Sequence, residues 1–536
     1  MKQIFQSFKN GETILEEFPV PNARYGSVLI QTTHSLVSLG TERMLVEFGK
    51  ASLIEKARQQ PEKVSQVLDK IKADGLLPTL EAVFTKLGQP IPLGYCNVGK
   101  VIAVGEGVSD FSIGDRVASN GAHAEVVTVP KNLAVKIPDA VSDEEATFTV
   151  IGSIGLQGIR LLKPQLGESI VVFGLGLIGL ITCQLLKANG CDVIGIDLDQ
   201  KKCDLASKWD IDTINPKFNH PVKSVMEITQ EVGADGVLIT ASSDSNDIIS
   251  QAAKMSRKRG RVVLIGVIGL SINRADFYEK ELSFQVSCSY GPGRYDHQYE
   301  QKGIDYPLPY VRWSERRNFK VILDSIQNGN LNLRQLITER VPLLDYKKIY
   351  NNLDSTNSIA SILLYPDSNE DELNNITIKL NNNPFSERGG IVGIIGAGNF
   401  TRMSLLPSLK GTGAQLKMIA SSGGVSGTQC AKLYGIGHST TDYYQILNDI
   451  DIDTVIIATR HGSHAKLVIE SLNAGKNTFV EKPLALNNSE LDEIIQSYNK
   501  QLKVNTCTLT VGFNRRFSPH LVKVKKEIGN NAGPVN

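Results

Sequence analysis

Two glycine-rich turns, more than two hundred residues apart, constrain the fold of this chain more than any other feature. Each lies between an apolar run typical of a buried strand and an apolar run with helical spacing. The turns are Gly174-Leu-Gly176-Leu177-Ile178-Gly179 and Gly396-Ala-Gly398-Asn399-Phe400-Thr401. Such glycines permit a tight turn and a close backbone approach to a pyrophosphate, whose charge meets the positive end of a helix. The sequence therefore predicts two dinucleotide-binding units and favours a nicotinamide-dependent oxidoreductase.

Length and composition exclude several classes of protein. A chain of 536 residues is too long for one core, and three or four domains of about 150 residues each are expected. The formal net charge of +1 gives no general attraction to nucleic acid or to an anionic membrane, so neither is an expected partner. The seven cysteines lack metal spacing, and the sequence contains neither a signal peptide nor an apolar membrane span. We therefore expect a cytoplasmic enzyme with a small-molecule substrate.

Hydrophobic periodicity predicts an α/β chain with two Rossmann-type, doubly wound parallel sheets. The predicted parts, in chain order, are a β-rich part at 1–145 with helical spacing at about 51–87, a strand–helix alternation at 146–275, a mixed part at 276–365, a polar linker at 366–389, a second alternation at 390–505 and a last part at 506–536.

Three motifs characterise the first half: Gly40-Thr41-Glu42, Leu93-Gly-Tyr95-Cys-Asn-Val-Gly99 and Gly114-Asp-Arg-Val117. Over about residues 10–365 the chain resembles the medium-chain dehydrogenase/reductase superfamily, which contains the zinc-type alcohol dehydrogenases and their zinc-free relatives. The resemblance implies a GroES-like catalytic domain at 1–145, to which the chain returns at 276–365.

The resemblance also implies where zinc would bind, and this sequence differs there. Leu39, Tyr95 and Ser153 stand at the positions of the Cys, His and Cys ligands. Leucine cannot ligate zinc, and neutral tyrosine and serine are poor substitutes for imidazole and thiolate. We therefore expect no metal, with Thr41 matching the hydroxyl that relays a proton in alcohol dehydrogenases and Tyr95 as a second catalytic residue. The alternative is that Thr41 caps a turn and Tyr95 only packs.

The residue after the second strand of each alternation bears on the choice of coenzyme. Asp197 stands there in the first alternation, and a carboxylate at this place accepts hydrogen bonds from the adenine-ribose hydroxyls and repels a 2′-phosphate. NAD is therefore predicted for the first site. In the second alternation Ser421 takes this place, so the second site is predicted to accept NAD or NADP.

Tyrosines and arginines are concentrated between Ser289 and Arg317. Tyr290, Arg294, Tyr295 and Arg312 are candidates to bind a sugar ring that carries a phosphate or carboxylate. A domain or subunit interface prefers the same residues, so a homo-oligomer stays open. The run resembles zinc-free members fused to a second oxidoreductase module in bacterial surface-polysaccharide pathways.

Four motifs mark the second half: Gly396-Ala-Gly398-Asn399, Ile456-Ile-Ala-Thr459 followed by His461 and His464, Glu481-Lys482-Pro483 and Gly512-Phe-Asn-Arg-Arg-Phe517. They resemble the N-terminal domain of the Gfo/Idh/MocA family, named for glucose–fructose oxidoreductase and inositol dehydrogenase. The resemblance implies that Lys482 moves a proton while hydride moves, with His464 as a further catalytic candidate. It also places Thr459 and Glu481 beside the coenzyme and makes a cis Lys482–Pro483 bond common.

Family members continue with an α/β substrate domain, of which 506–536 would be only the start. We therefore expect either a fragment or a second module that binds nucleotide without turnover.

Together these inferences predict a bi-domain oxidoreductase of carbohydrate metabolism that acts on a sugar or nucleotide-sugar. Two redox modules could oxidise and then re-reduce one sugar carbon while the intermediate stays local. Two alternatives remain open: a zinc-free enone or quinone reductase in the N-terminal half, and an NAD(H)-binding scaffold or sensor without turnover.

Overall fold

The computed structural model describes residues 1–52, 55–56, 58, 90–353, 358–366, 374–381, 390–504 and 507–529. The predicted helical insertion at 51–87 lies almost wholly outside these residues. The chain divides into two compact units. The first unit comprises Lys2–Glu16 and Ala23–Ser368, and the second comprises Met1, Glu17–Asn22 and Asn369–Asn536.

The first unit combines a mainly antiparallel β part with a parallel sheet. Its strands are β1 (Lys2–Gln6), β2 (Thr13–Glu17), β3 (Ser27–Val37), β4 (Ile91–Pro92), β5 (Asn97–Val104), β6 (Arg116–Ser119), β7 (Val126–Pro130), β8 (Ala134–Lys136), β9 (Ser169–Phe173), β10 (Asp192–Ile196), β11 (Asp212–Ile214), β12 (Ala234–Ile239), β13 (Ser242–Ser243), β14 (Ser256–Leu264), β15 (Val267–Ile268), β16 (Ser283–Val286), β17 (Ile337–Pro342) and β18 (Ala360–Leu364).

The helices of the first unit connect these strands. They are α1 (Leu39–Lys50), α2 (Asp143–Ala146), α3 (Thr149–Leu162), α4 (Leu177–Ala188), α5 (Gln200–Ser207), α6 (Pro221–Ile228), α7 (Asp247–Met255), α8 (Arg274–Tyr278), α9 (His297–Glu300), α10 (Glu315–Gln327) and α11 (Lys347–Tyr350).

The antiparallel part has strand order β17-β18-β3-β5-β6-β8, with β7 also paired to β3, and a small sheet β2-β1-β4 lies beside it. Strands β17 and β18 come late in the sequence and rejoin strands from the first hundred residues, because β18 pairs with β3. The late part of the first half thus returns to the β part.

The parallel sheet has strand order β11-β10-β9-β12-β14-β16, and every neighbouring pair is parallel. The strand sequence reverses direction between β9 and β12, and ligands of doubly wound sheets bind at the carboxyl edge beside that reversal. Strand β16 ends at Val286, so the predicted boundary at 275 is too early and needs correction. It was missed because an edge strand shows weaker apolar patterning than a central one.

The second unit contains another parallel sheet with the same winding. Its strands are β19 (Thr377–Lys379), β20 (Ile391–Ile395), β21 (Gln415–Ala420), β22 (His438–Thr440), β23 (Thr454–Ile457), β24 (Asn477–Glu481) and β25 (Leu509–Gly512), in the order β19-β22-β21-β20-β23-β24-β25. Its α-helices are α12 (Leu406–Leu409), α13 (Val425–Tyr434), α14 (Tyr444–Leu447), α15 (His464–Asn473), α16 (Asn488–Leu502) and α17 (Pro519–Ile528).

Two predicted boundaries of the second half need correction. The stretch 366–389 is not only a linker, because β19 within it pairs antiparallel with β22. The predicted end of the alternation at 505 is too early, because β25 pairs with β24 as the last parallel strand.

The cores of the second unit lie on both faces of its sheet. Val455 and Ile457 belong to one buried cluster, whereas Ile456 belongs to another. Successive side chains of a strand point to opposite faces, so one apolar run supplies both cores. Among the helices in the described ranges, none has the combined length and apolar character that crossing a membrane requires.

A buried carboxylate ties the β part of the first unit together. Glu42 is 1% exposed and accepts hydrogen bonds from the Ser38 backbone N–H (2.9 Å) and the Tyr350 hydroxyl (2.5 Å). Its Oε1 also lies 3.2 Å from Nε2 of His123, whose Nδ1 lies 2.7 Å from Oγ of Ser35. One side chain thus connects β3, α1, α11 and the segment before β7.

We expect Glu42→Ala to lower the free energy of unfolding of the first unit by about 3–5 kcal/mol, because it leaves several buried polar groups unpaired. Urea unfolding measures this loss. Glu47→Ala is the matched control: Glu47 lies on the same helix, is exposed and pairs with Arg43 at 2.7 Å. Loss of that surface pair should cost at most about 0.5 kcal/mol. Similar losses in the two variants would contradict the role given to Glu42.

Candidate functional site

The first glycine-rich turn forms an open cradle at the carboxyl end of β9. Gly174 has φ +103°, which a side chain would strain, and Gly176 is the last residue before α4. No atom would lie within 4 Å of a Cβ on Gly176, so the space above the helix start, beside Leu177 and Ile178, is open. A Cβ on Gly179 would lie 1.9 Å from the carbonyl oxygen of Gly174. The turn therefore leaves room for a pyrophosphate and packs the helix tightly against the strand.

Asp197 lies beside this cradle, as predicted, and also holds it in shape. Its Oδ2 accepts the backbone N–H of Leu175 (2.7 Å), and its Oδ1 accepts that of Asp199 (2.8 Å). Each carboxylate oxygen has a second lone pair that could accept a ribose hydroxyl. Asp197 lines an open pocket of about 490 Å³, which Lys202 and Phe218 also border. The geometry fits the adenosine end of a dinucleotide.

Three hydroxyl groups meet where the resemblance would place zinc. The Tyr95 hydroxyl donates to Oγ of Ser38 (2.8 Å), and Oγ1 of Thr41 lies 3.3 Å from it. Burial raises the pKa of Tyr95, so it is a neutral phenol near pH 7. Ser153 is buried and donates to the carbonyl oxygen of Thr149 (2.8 Å). We call Ser38, Thr41 and Tyr95 the hydroxyl cluster.

Helix α3 connects the hydroxyl cluster to the cradle. The backbone of Ile151 in α3 hydrogen-bonds the thiol of Cys96, which follows Tyr95. Further along α3, a Cβ on Gly155 would lie 2.4 Å from Oγ1 of Thr182 in α4. This close packing sets α3 directly against α4, the helix that begins at the cradle. Burial raises the pKa of Cys96, so its thiol is not a reactive thiolate.

The described residues contain no group of three or more His, Cys, Asp or Glu side chains arranged to hold a metal ion. At the positions of the zinc ligands stand Leu39 and two hydroxyls that already bond to protein groups. These side chains do not fit zinc.

The predicted substrate residues have different surroundings. Tyr290 is only 4% exposed, and its hydroxyl accepts a hydrogen bond from the Asn120 amide (3.4 Å). Arg294 donates to Glu300 (2.6 Å), so its charge is neutralised within the protein. Tyr295 is 75% exposed, and Arg312 stacks on Trp313. Tyr290 and Arg294 thus contact neighbouring protein groups, and their assignment to substrate binding stays a prediction.

The second glycine-rich turn forms a cradle at the carboxyl end of β20. Gly396 has φ +107°, and no atom would lie within 4 Å of a Cβ on Gly398. Asn399 and Phe400 follow, with Asn399 exposed, and a π-helical turn at Thr401–Leu405 leads into α12. Thr401 Oγ1 donates to the carbonyl oxygen of Gly396 (2.7 Å). Thr401 thus occupies the position of the third glycine. It has a side chain where glycine has none, and that side chain hydrogen-bonds the turn.

Side chains at the carboxyl ends of three strands lie along this edge, one beyond β21 and two on the other side of β20, at the ends of β23 and β24. Ser421 follows β21 and accepts the backbone N–H of Gly427 (3.0 Å). Thr459 follows β23, and its hydroxyl lies 2.7 Å from Oγ of Ser463. Glu481 ends β24, and its Oε1 is buried without a hydrogen-bond partner in the described part of the chain. The edge thus holds the predicted coenzyme residues.

Lys482 and His464 differ sharply in their accessibility. Lys482 is exposed at the end of β24, and its bond to Pro483 is cis, as the resemblance suggests. His464 is 0% exposed, with Nδ1 2.7 Å from the carbonyl oxygen of Pro483 and Nε2 3.2 Å from that of Thr459. Both ring nitrogens lie near backbone carbonyl oxygens, which places His464 against the Lys482 turn, and its assignment as a catalytic residue stays a prediction.

Sequence reasoning missed Ser38 and Glu315. The signal for Ser38 was a hydroxyl residue three positions before Thr41. Glu315 is 0% exposed, and neither carboxylate oxygen has a hydrogen-bond partner within the described residues. Burial, and then the charge of Glu300, raise the pKa of Glu315 to about 8, while Arg294 opposes the shift.

We expect the first unit to lose stability as the pH rises through a window set by Glu315. In this window the Glu315 carboxyl is ionised in the unfolded chain but still protonated in the folded one. The folded state keeps a proton there that the unfolded chain has released, from about pH 5 up to the folded pKa of about 8. The loss should approach about 1.4 kcal/mol per pH unit in that window. Below about pH 5, the Glu315 carboxyl is protonated in both the folded and the unfolded chain, so the full stability is retained there.

Melting temperatures of Glu315→Gln and the unsubstituted protein should therefore diverge in favour of the variant as pH rises from 5.5 to 8. Glu281→Gln, at an exposed carboxylate paired with Arg259, is the control and should follow the unsubstituted profile. Parallel profiles for Glu315→Gln would show that its carboxyl ionises in the folded state like an exposed one.

Three family models match parts of this chain. An alcohol dehydrogenase GroES-like domain matches residues 65–139, and a zinc-binding dehydrogenase domain matches residues 178–303. An oxidoreductase family with an NAD-binding Rossmann fold matches residues 391–512, which end with β25.

Curated relatives each match part of this chain. D-guloside 3-dehydrogenase of Escherichia coli is 28% identical over 269 residues, which cover 48% of this chain and 72% of the relative. (R,R)-butanediol dehydrogenase of Bacillus subtilis is 23% identical over 286 residues, covering 48% and 75%. An uncharacterized oxidoreductase of Bacillus subtilis is 33% identical over 145 residues, which cover 26% of this chain and 40% of that relative.

Solved dehydrogenases share the fold of the first half. An alcohol dehydrogenase from Thermus sp. superimposes with a TM-score of 0.53 at 19% identity, covering 68% of this chain and all (100%) of that one. An alcohol dehydrogenase from Escherichia coli, solved with NADH, has a TM-score of 0.52 at 18% identity and covers 68% and 99%. The chain is an oxidoreductase of the dehydrogenase type, with a GroES-like domain and NAD-binding Rossmann domains.

Proposed function

We propose that this chain is a zinc-independent oxidoreductase that uses NAD(P) to transfer hydride to or from a carbinol carbon of a sugar or nucleotide-sugar. The observation that carries the proposal is the hydroxyl cluster: Tyr95 bonds to Ser38 (2.8 Å) and approaches Thr41 (3.3 Å) at the place where zinc-type relatives hold their metal. Zinc independence rests on the side chains present there, which are not zinc ligands.

The proposed substrate class has two supports. D-guloside 3-dehydrogenase is named for a sugar derivative, and the segment between Ser289 and Arg317 is rich in aromatic and arginine side chains that suit sugar derivatives. A role in bacterial surface-polysaccharide synthesis in the cytoplasm is also part of this proposal. It is supported by the resemblance of the same segment to zinc-free members fused to a second oxidoreductase module.

A bound nicotinamide supplies or accepts the hydride. Tyr95, held as a neutral phenol, donates its proton to the substrate oxygen when a carbonyl is reduced. Ser38 accepts a hydrogen bond from Tyr95 and thereby orients its hydroxyl, and Thr41 lies within reach to pass a proton on. In the oxidation direction the same groups take the alcohol proton in reverse order.

In the second unit, Lys482 would transfer the proton. Its side chain is exposed at the carboxyl edge of the sheet. Thr459 and Glu481 would border the coenzyme there. Ser421 presents no carboxylate to a 2′-phosphate, so NAD or NADP would fit this site. Two modules that share one sugar carbon could oxidise it and then re-reduce it.

We expect deuterium from [4-²H]NADH to appear in a sugar or nucleotide-sugar when keto forms of these compounds are supplied. Tyr95→Phe should lower kcat by about 10²-fold or more because the proton donor is lost, with NADH affinity unchanged. Tyr278→Phe, at an exposed tyrosine of α8, is the control and should keep full activity. Mass spectrometry of the products measures the transfer. Absence of deuterium from every sugar, with transfer to small enones instead, would refute the proposal and favour the enone reductase alternative.

We expect the first site to prefer NADH to NADPH because the Asp197 carboxylate repels a 2′-phosphate. Asp197→Ser should shift the ratio of the two dissociation constants towards NADPH by about tenfold or more, equivalent to about 1.4 kcal/mol. Calorimetric titration with each coenzyme measures the ratio. Asp199→Ser removes the neighbouring carboxylate, which caps α5, and should leave the ratio nearly unchanged. Equal shifts in the two variants would mean that general charge, and not Asp197, sets the preference.

A further inference from the structure

In the first unit, two arginines that are distant in sequence both stack their guanidinium groups on the ring of Trp313. The guanidinium carbon of Arg160, in α3, lies 3.5 Å from the ring centroid of Trp313, and that of Arg312 lies 3.9 Å from it. Arg160 is half-buried and donates its Nε–H to Oδ1 of Asn318 (2.8 Å), whereas Arg312 is exposed. Cation–π contacts hold both groups in place, so their positions are fixed before any ligand arrives.

This pair differs from its arginine neighbours in lacking a carboxylate. Arg294 pairs with Glu300, Arg316 with Asp110 and Arg317 with Asp305. Within the described residues, neither Arg160 nor Arg312 forms an ion pair with an acidic side chain.

The electrostatics of Arg160 agree with this arrangement. Burial, and then the charge of Arg312, lower the pKa of Arg160 to about 10. Two cations held together without a counter-charge repel one another, and a bound anion would relieve that repulsion. The fork of donors on each guanidinium matches the oxygens of a phosphate.

The position of Arg160 relates the pair to the hydroxyl cluster. Ser153, Gln157 and Arg160 are spaced four and then three residues apart, so they lie on one face of α3. Ser153 marks the place of a zinc ligand in the zinc-type relatives, and Arg160 lies about 10 Å from it along the helix axis. That separation is comparable with one sugar ring and its phosphate linkage.

We infer that Arg160, Trp313 and Arg312 form an anion subsite that holds a phosphate group of the substrate. The inference deepens the proposed function and rests on it: the sugar would be phosphorylated, either as a sugar phosphate or as a sugar nucleotide. Arg312 is the residue that the sequence singled out, and Arg160 is its partner from a helix without any sequence signal.

The two tryptophans of the chain allow a direct test. Trp209 makes no hydrogen bond through its buried Nε1 in the described structure, so Trp209→Phe loses none and leaves Trp313 as the only tryptophan. In this background the full chain is titrated with inorganic phosphate and with inorganic pyrophosphate in saturating NAD⁺, which fills the coenzyme cradles. We expect a saturable change in Trp313 fluorescence. Stronger binding of pyrophosphate would favour a sugar nucleotide, and equal binding a sugar phosphate.

Substitution of the arginines separates this subsite from other anion sites. Arg312→Gln should weaken the response at least tenfold, as should Arg160→Gln, whereas Arg259→Gln, at an exposed arginine paired with Glu281, should not alter it. Because Arg312 is exposed, its substitution keeps the test sound if Arg160→Gln fails to fold. No saturable response, an unchanged response in Arg312→Gln, or a response that disappears with NAD⁺ would overturn the inference.

Two further measurements distinguish this inference from its alternatives. Arg312→Gln should raise KM for a phosphorylated substrate with little change in kcat, because the group acts away from the reacting atoms. If deuterium transfer occurs only to unphosphorylated sugars, the subsite is wrong while the proposed function stands. If Arg312→Gln changes the oligomeric state in sedimentation and leaves phosphate binding intact, the pair belongs to a subunit interface and the inference fails.

Discussion

At the carboxyl ends of β9 and β20, the chain turns on a glycine in the left-handed region, at Gly174 and at Gly396. The coenzyme edge depends on this turn because it aims the first backbone N–H groups of the following helix at one point. The two turns are stabilised differently. The first brings Gly179 so close to the Gly174 carbonyl that no Cβ fits, whereas the second uses the Thr401 hydroxyl to bond the Gly396 carbonyl. The Gly174 carbonyl also accepts the hydroxyl of Thr240 (2.5 Å), so the two turns differ in where the bonding hydroxyl comes from: the end of β12 in the first sheet and the turn itself in the second.

Around the first cradle, helix α3 contacts both the coenzyme edge and the neighbourhood of the proposed proton-transfer groups. Its start contacts Cys96 beside Tyr95, its middle packs on α4 through Gly155, and its last turn carries Arg160. A rigid helix sets these groups at distances that side-chain motion changes little. Glu42 stabilises the hydroxyl cluster, because its carboxylate accepts the backbone N–H of Ser38.

The central strands and both cradles could be predicted because a strand–turn–helix unit is local and its first two glycines are present in both turns. Edge strands such as β16, β19 and β25 were missed because their pairing partners, and not their own short patterns, define them. Asp197 was found from its spacing, since the second strand always ends near the ribose. The partners of Arg294 and His464, the Glu300 carboxylate and two backbone carbonyls, are visible only in the folded chain. Arg160 and Glu315 gave no signal, since their character comes from neighbours brought together by folding.

Asp197, which we propose to bind the coenzyme ribose, also stabilises the protein, because its two oxygens accept the backbone N–H groups of Leu175 and Asp199. Replacing Asp197 by a side chain that tolerates a 2′-phosphate would also remove these two hydrogen bonds. The loop that cradles the diphosphate would then be less firmly held. A second substitution near Leu175 would have to come first or together with this replacement. A change of coenzyme at the first site would therefore need a compensating change in the loop, and Ser421 of the second unit has a structural contact of its own, since its Oγ accepts the backbone N–H of Gly427 (3.0 Å).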